Sequence, residues 1–101
     1  MTEPLALLQS AIALQQAGQF EAAVANYDEL LAGYVGTAQV HTNRGLALFE
    51  LGRTQEAIAA YDAALASDMG YVDAYYSRGL ALFVQKQFAQ ALASFDAAIA
   101  I

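Results

Sequence analysis

Apolar side chains recur along the chain every three or four positions, which is the spacing of one face of an α-helix. In the middle of the chain, Ala57, Ile58, Tyr61, Ala64 and Leu65 follow this spacing. The alternation of apolar and polar residues that predicts half-buried strands is absent from the sequence, and Ala, Leu, Gln and Glu dominate over strand formers. The pattern predicts six helices with these approximate bounds: about 5–17, 20–32, 38–51, 54–67, 72–85 and 88–100.

The helical pattern is also repeated at a longer period. The segments Ala23-Val-Ala-Asn-Tyr-Asp28, Ala57-Ile-Ala-Ala-Tyr-Asp62 and Ala91-Leu-Ala-Ser-Phe-Asp96 follow one another at a step of 34 residues. The run Arg-Gly-Leu-Ala-Leu-Phe that ends at Phe49 returns unchanged at Phe83. A fixed step without insertions indicates tandem copies of one structural unit. We therefore expect a single domain over 1–101 with three copies, at about 4–37, 38–71 and 72–101.

Small residues recur where the two helices of each copy would touch, and an aromatic residue follows four positions after the second of them. This arrangement, at a step of 34 residues, resembles the tetratricopeptide repeat family. The resemblance implies an all-α fold, a right-handed superhelical solenoid of three helical hairpins, that acts as a non-enzymatic protein-protein interaction scaffold. The residues that carry it are Ala11, Gly45 and Gly79 on the first helices, Ala23, Ala57 and Ala91 on the second, and the aromatics Tyr27, Tyr61 and Phe95.

Charge and composition exclude several classes of function. Ten acidic against four basic residues give a net charge of −6, the opposite of what phosphate backbones and anionic membrane surfaces attract. The chain has no Cys and one His, and its glycines are scattered, so we expect no catalytic site, metal or cofactor. The apolar run near the N-terminus follows Glu3 instead of a basic segment, which argues against a signal peptide. We expect a cytoplasmic protein without nucleic-acid or membrane partners.

Among the departures from the family pattern, two concern His41 and the turn within each copy. His41 is the only candidate for a general base at neutral pH, but it stands in the column where the third copy has Tyr75. We interpret it as a half-buried packing residue. The turn within each copy has Gly18 and Gly52 in the first two copies and Lys86 in the third.

A column on the first helix holds arginine in the second and third copies and Ser10 in the first. A partly buried guanidinium needs a carboxylate partner. Because the first copy has no preceding hairpin and no arginine, we expect each arginine to pair with the acid of the copy before it. The expected pairs are Asp28 with Arg44 and Asp62 with Arg78, and the surface cations left free are Arg53 and Lys86.

In the family that the chain resembles, the first helices of successive repeats line a concave groove that binds peptides. The corresponding residues here form an apolar floor with acidic edges. This predicts a protein or peptide ligand, an apolar helix or extended segment able to carry a basic residue. Phe49 and Phe83 are expected to face solvent, whereas Leu46 and Leu80 could instead be helix packing. The groove residues are Leu8, Ile12, Asn43, Leu46, Phe49, Glu50, Asp73, Tyr76, Leu80 and Phe83.

Some family members bind the C-terminal carboxylates of heat-shock chaperones through a basic clamp. Of the clamp positions, this chain matches only Asn43, while Leu8, Ile12, Asp73 and Ser77 stand where cations or amides are needed. The resemblance therefore does not extend to chaperone-tail binding.

The last predicted helix leaves an apolar stripe without a neighbour. Solenoids usually cover such a stripe with a helix that has a polar outer face. Three explanations stay open: a longer array from which this sequence is excised, two copies docked end to end, or a partner that supplies the helix. The alternative function is therefore a structural self-assembly module, a homo-oligomer joined through this helix or through exchanged hairpins. The residues of the self-association face are Leu92, Phe95, Ile99 and Ile101.

Overall fold

The computed structural model describes residues 3–33 and 36–101, and every regular element in these ranges is a helix. The predicted positions of the six helices are confirmed to within one residue at each end. The predicted all-α fold is confirmed with them. In chain order, the helices are α1 (Pro4–Gln16), α2 (Phe20–Gly33), α3 (Ala38–Glu50), α4 (Thr54–Ser67), α5 (Val72–Val84) and α6 (Phe88–Ala100).

The turn inside each hairpin has one conformation in all three copies. Its central residue is left-handed, with φ of 78° at Gly18, 79° at Gly52 and 63° at Lys86. In the third copy the Lys86 N–H donates to the carbonyl of Phe83 at 2.9 Å, and the Gln87 N–H donates to the carbonyl of Leu82 at 2.9 Å. These two hydrogen bonds form a Schellman motif. The lysine therefore adopts the backbone conformation that the other copies assign to glycine.

The hairpins stack into an elongated body of 44 × 25 × 19 Å. Each second helix packs against the first helix of the next hairpin, α2 on α3 and α4 on α5. The first helices also touch one another, α1 with α3 and α3 with α5, whereas the described parts of α2, α4 and α6 make no such contacts. Closer spacing on one side of a stack curves it toward that side. The first helices consequently form the inner side of the solenoid.

The small residues of the first helices accommodate aromatic rings from the second helix of the same hairpin. A Cβ atom placed on Gly45 would lie 2.5 Å from Cε1 of Tyr61, and one on Gly79 would lie 2.5 Å from Cε1 of Phe95. Tyr61 is fully enclosed, and this burial raises the pKa of its phenol, with the nearby Glu50 acting in the same direction. The glycines are therefore required by the rings that cover them.

None of the helices in the described ranges combines the length and the hydrophobicity needed to cross a membrane.

Candidate functional site

Two arginines join successive hairpins, as the sequence predicts. Nε of Arg44 donates to Oδ1 of Asp28 at 2.6 Å, and Nε of Arg78 donates to Oδ1 of Asp62 at 2.7 Å. The arginine side chains are mostly buried, with 24% and 28% of their surface exposed, whereas about half of each aspartate side chain remains in solvent. These arginines are consequently occupied by internal partners.

The prediction that Arg53 is a free cation is wrong. Its Nε and NH2 groups donate to the two carboxylate oxygens of Glu56, at 3.0 and 2.6 Å. The two residues are three apart at the start of α4, a spacing that puts them on one face of the helix. The bond lowers the pKa of the Glu56 carboxyl. Lys86 is exposed, as expected.

His41 is half-buried near the start of α3, where its ring lies against the backbone of Gly36. Burial lowers its pKa, and the charge of Arg44 acts in the same direction. A ring kept neutral in this way fits the interpretation as a packing residue.

The predicted groove residues lie on the three first helices and become more exposed from α1 to α5. Leu8 and Ile12 on α1 are half-buried. Leu46 is at the border of exposure with 36%, and Leu80 is similar. The acidic residues at the edges of the groove, Glu50 and Asp73, are exposed. On α5, the remaining groove residues Tyr76 and Phe83 are both more than half exposed.

The expectation that both groove phenylalanines face solvent is wrong for Phe49. This ring is half-buried and packs against the central hydrophobic core that α3, α4 and α5 share. Phe83 occupies the same column one copy later and is 57% exposed. It lies edge-on against Phe88, with 5.3 Å between ring centroids. The two phenylalanines therefore have different surroundings, although the five residues that precede each of them are identical.

A polar seam at the inner side joins the first hairpin to α3. The Tyr27 hydroxyl donates to Oε1 of Gln15 at 2.6 Å, and Nε2 of Gln15 donates to the backbone carbonyl of Asn43 at 3.1 Å. Burial raises the pKa of Tyr27, and a hydrogen bond from the Asn43 side chain partly offsets this. Asn43, the residue that the sequence analysis matched to the clamp of chaperone receptors, thus lies beside Tyr27 and contributes its backbone carbonyl to this seam.

Two cavities border the groove, one at each end, and neither was predicted from the sequence. A cavity of about 320 Å³ lies beside Leu8, between α1, the end of α2 and the start of α3. An apolar cleft of about 210 Å³ is lined by Phe83, Phe88, Ala91, Leu92 and Phe95. The second cleft brings the groove residue Phe83 together with two residues of the predicted self-association face.

The self-association face on α6 is largely open. Leu92 and Ile101 are each 61% exposed and Ile99 is 82% exposed. Phe95 is half-buried and lies 5.9 Å from the Tyr76 ring, centroid to centroid. Across residues 3–33 and 36–101, acidic and histidine side chains form no cluster that could hold a metal ion.

A sequence model of one protein family, described as tetratricopeptide repeat, matches residues 8–72 and 70–101. A search of curated protein sequences gave no match.

Several solved structures have the same fold. The second tetratricopeptide domain of Spaghetti (RPAP3), bound to the HSP90 peptide SRMEEVD, has a TM-score of 0.91 at 20% identity, covering 97% of this chain and 91% of its own. MamA superposes with a TM-score of 0.94 at 24% identity, covering 98% of this chain and 58% of its own. The TPR2B domain of yeast Sti1, in complex with an Hsp70 peptide, has a TM-score of 0.90 at 28% identity, over 94% of this chain and 76% of its own.

Proposed function

The chain belongs to the tetratricopeptide repeat family, and from this premise we propose that it is a non-enzymatic scaffold that binds a protein segment in the groove of its first helices. Members of this family are generally interaction modules. Two of the superposed structures contain a bound HSP90 or Hsp70 peptide. These likenesses support a protein or peptide as the partner.

The observation that carries the proposal is the exposed apolar surface on the inner side of α3 and α5. Leu46, Leu80 and Phe83 expose more than a third of their surfaces there, and Glu50 and Asp73 lie exposed at its edges. Apolar side chains repeated on one concave surface are typical of a site that a partner covers. The ten groove residues include two acids and no lysine or arginine. The ligand that fits is an apolar segment with a basic residue.

The charge of the groove sets this chain apart from a receptor for acidic peptides. The peptide bound by Spaghetti, SRMEEVD, has three acidic residues and one arginine. The arginines nearest the groove here, Arg44 and Arg78, already bind Asp28 and Asp62. An acidic ligand would thus meet like charge without a cation to compensate it.

Selection of peptides from a random library displayed on phage tests the proposal. We expect enrichment of apolar sequences that contain Lys or Arg. Binding should be tightest at low salt, where the attraction between the acidic groove and the basic residue is least screened. The variant Glu50→Lys/Asp73→Lys should shift the selection toward acidic sequences, since both changed residues flank the apolar surface. Glu21→Lys/Glu29→Lys makes the same change of net charge at two exposed acids on α2, so it is the matched control and should leave the selection unchanged. Enrichment of acidic peptides by the parent chain would contradict the proposal.

Self-assembly is the second candidate function, and the exposure of Leu92 and Ile99 favours it. Its partner is another copy of the same chain, so it does not depend on the groove. A cytoplasmic location stays a prediction from the sequence.

A further inference from the structure

The last second helix exposes the columns that the earlier second helices bury. In one column, Val24 on α2 and Ile58 on α4 are 6% and 7% exposed, whereas Leu92 on α6 is 61% exposed. In another column, Leu31 on α2 and Leu65 on α4 are half-buried, whereas Ile99 on α6 is 82% exposed. The exposed surface of α6 therefore matches the surfaces through which α2 and α4 pack against the first helix of the next hairpin.

The first helix of the chain shows the reverse relation. Ala47 and Ala81 have no exposed surface, because they are buried where α3 and α5 pack into the stack. Ala13 stands in the same column of α1 and is exposed. Ala6 is likewise exposed, although Ala74, in its column on α5, is completely buried. On α1, Ala6 and Ala13 therefore form an exposed surface of small residues. The same columns in α3 and α5 pack against the second helix of the preceding hairpin.

We propose that copies of this chain associate head to tail, with α1 of one copy packed on α6 of another in the register that α3 adopts on α2. The two surfaces are complementary because the chain forms the same interface twice internally, between α2 and α3 and between α4 and α5. The contact is heterologous, so each copy keeps one free end and further copies can add to it. The proposal specifies the geometry of the self-assembly function and is independent of the groove ligand.

One polar position makes this contact weaker than the internal ones. Where Arg44 reaches Asp28, the contact between copies brings Ser10 opposite Asp96. The Ser10 hydroxyl accepts a hydrogen bond from Nδ2 of Asn26 at 2.9 Å, and a serine side chain is too short to span the gap that an arginine side chain spans to reach Asp28 or Asp62. Asp96 therefore gains no ion pair in the contact between copies. The net charge of −6 on each copy also opposes association, so added salt should strengthen it.

Sedimentation of complementary variants tests the geometry. Leu92→Lys/Ile99→Lys blocks the α6 surface, and Ala6→Lys/Ala13→Lys blocks the α1 surface; all four residues are exposed in the single chain, so the helical circular dichroism should be retained. We expect the parent chain to form larger species as its concentration rises about a hundredfold, and each variant alone to stay monomeric. An equal mixture of the two variants should form a dimer and nothing larger, because one good surface remains on each.

A gain of affinity provides the second test. Ser10→Arg restores the column to the residue found in the other copies, and we expect roughly 1.5- to 5-fold tighter association, the range for a partly exposed ion pair. Asp96→Asn should cancel this gain. Ser67→Arg makes the same charge change at an exposed serine at the end of α4 and should have a smaller effect.

Three results would overturn the proposal. A parent chain and a Ser10→Arg variant that are both monomeric throughout the concentration range would exclude association of copies. Association that the α6 variant abolishes and the α1 variant leaves intact would indicate a symmetric contact between two α6 helices. A dimer with exchanged hairpins would appear as association that neither surface variant weakens. Each result leaves the groove proposal untouched, because the phage selection measures a different surface.

Discussion

Arg78 binds a different helix on each side: Nε donates to Oδ1 of Asp62 on α4 at 2.7 Å, and NH1 donates to Oγ of Ser94 on α6 at 2.7 Å. Arg44 makes the first kind of contact only, because Ala60 stands where α6 has Ser94. Ser94 is buried, so the hydroxyl depends on Arg78 for its partner. Arg78 therefore joins three helices through its hydrogen bonds, whereas Arg44 joins two.

Removing the two arginines should reveal this difference. Arg44→Ala should lower the free energy of unfolding by about 0.5–1.5 kcal/mol, since its aspartate partner is half exposed. Arg78→Ala should cost about 1–3 kcal/mol, because it also leaves the buried hydroxyl of Ser94 without its donor. Urea denaturation measures both, with Arg53→Ala, which removes a solvent-exposed ion pair, as the control that should change stability least. Equal losses at Arg44 and Arg78 would show that the bond to Ser94 contributes nothing.

Gly45 should not tolerate a methyl group. Gly45→Ala places a Cβ atom 2.5 Å from the buried ring of Tyr61, and we expect a loss of about 1–3 kcal/mol in the free energy of unfolding. Gly33→Ala is the matched control, since no atom lies within 4 Å of the added Cβ and alanine favours the helix. Thermal denaturation should place the melting temperature of the first variant below that of the parent. An unchanged melting temperature would mean that the ring moves aside without cost.

The turn at Lys86 offers a gain in stability. A side chain at a φ of 63° is strained, whereas Gly18 and Gly52 adopt this conformation freely. Lys86→Gly should therefore raise the free energy of unfolding by about 0.5–1 kcal/mol. The reverse change, Gly52→Lys, should lower it by a similar amount. Denaturation that shows both changes to be destabilising would mean that the lysine side chain makes a compensating contact.

Protonation of His41 should destabilise the fold. Its pKa in the folded protein is lowered by burial and by Arg44, so in the window between that value and the ordinary pKa of 6.5 the unfolded chain binds more protons. The free energy of unfolding should accordingly fall as the pH is lowered through this window. His41→Phe should remove that part of the pH dependence, because phenylalanine does not titrate. Stability curves of the two proteins that stay parallel between neutral pH and the onset of carboxylate protonation would contradict the assignment.

Periodicity was sufficient to predict some features from the sequence and insufficient for others. The six helices follow from the spacing of apolar residues. The pairs of Arg44 with Asp28 and Arg78 with Asp62 follow from one column that holds arginine only in the copies that have a hairpin before them. The seam of Gln15, Tyr27 and the Asn43 carbonyl has no repeated signature, because it involves a backbone group and occurs in one copy.

A repeat pattern also assigns one environment to a whole column. For this reason the pattern missed the difference between Phe49 and Phe83. Phe49 packs against a core to which the third hairpin contributes, whereas Phe83 lies in the third hairpin itself and contacts Phe88 on α6. The pattern missed the N-terminal cavity for a related reason, since three helices line that cavity and their relative positions are a property of the packed stack.

The two phenylalanines should respond differently to truncation. Phe49→Ala removes a ring that packs against the hydrophobic core, and we expect a loss of about 2–4 kcal/mol in the free energy of unfolding. Phe83→Ala removes a ring that is 57% exposed and touches Phe88 at the surface, so about 1 kcal/mol or less should be lost. Binding should show the opposite order: when both variants are measured well below their melting temperatures, the peptides selected by the parent should bind Phe83→Ala about 10-fold more weakly or worse. Val84→Ala, an equally exposed apolar residue next to Phe83 on α5, controls for simple loss of surface hydrophobicity. If Phe83→Ala binds the selected peptides as tightly as the parent does, the groove does not extend to this end of α5.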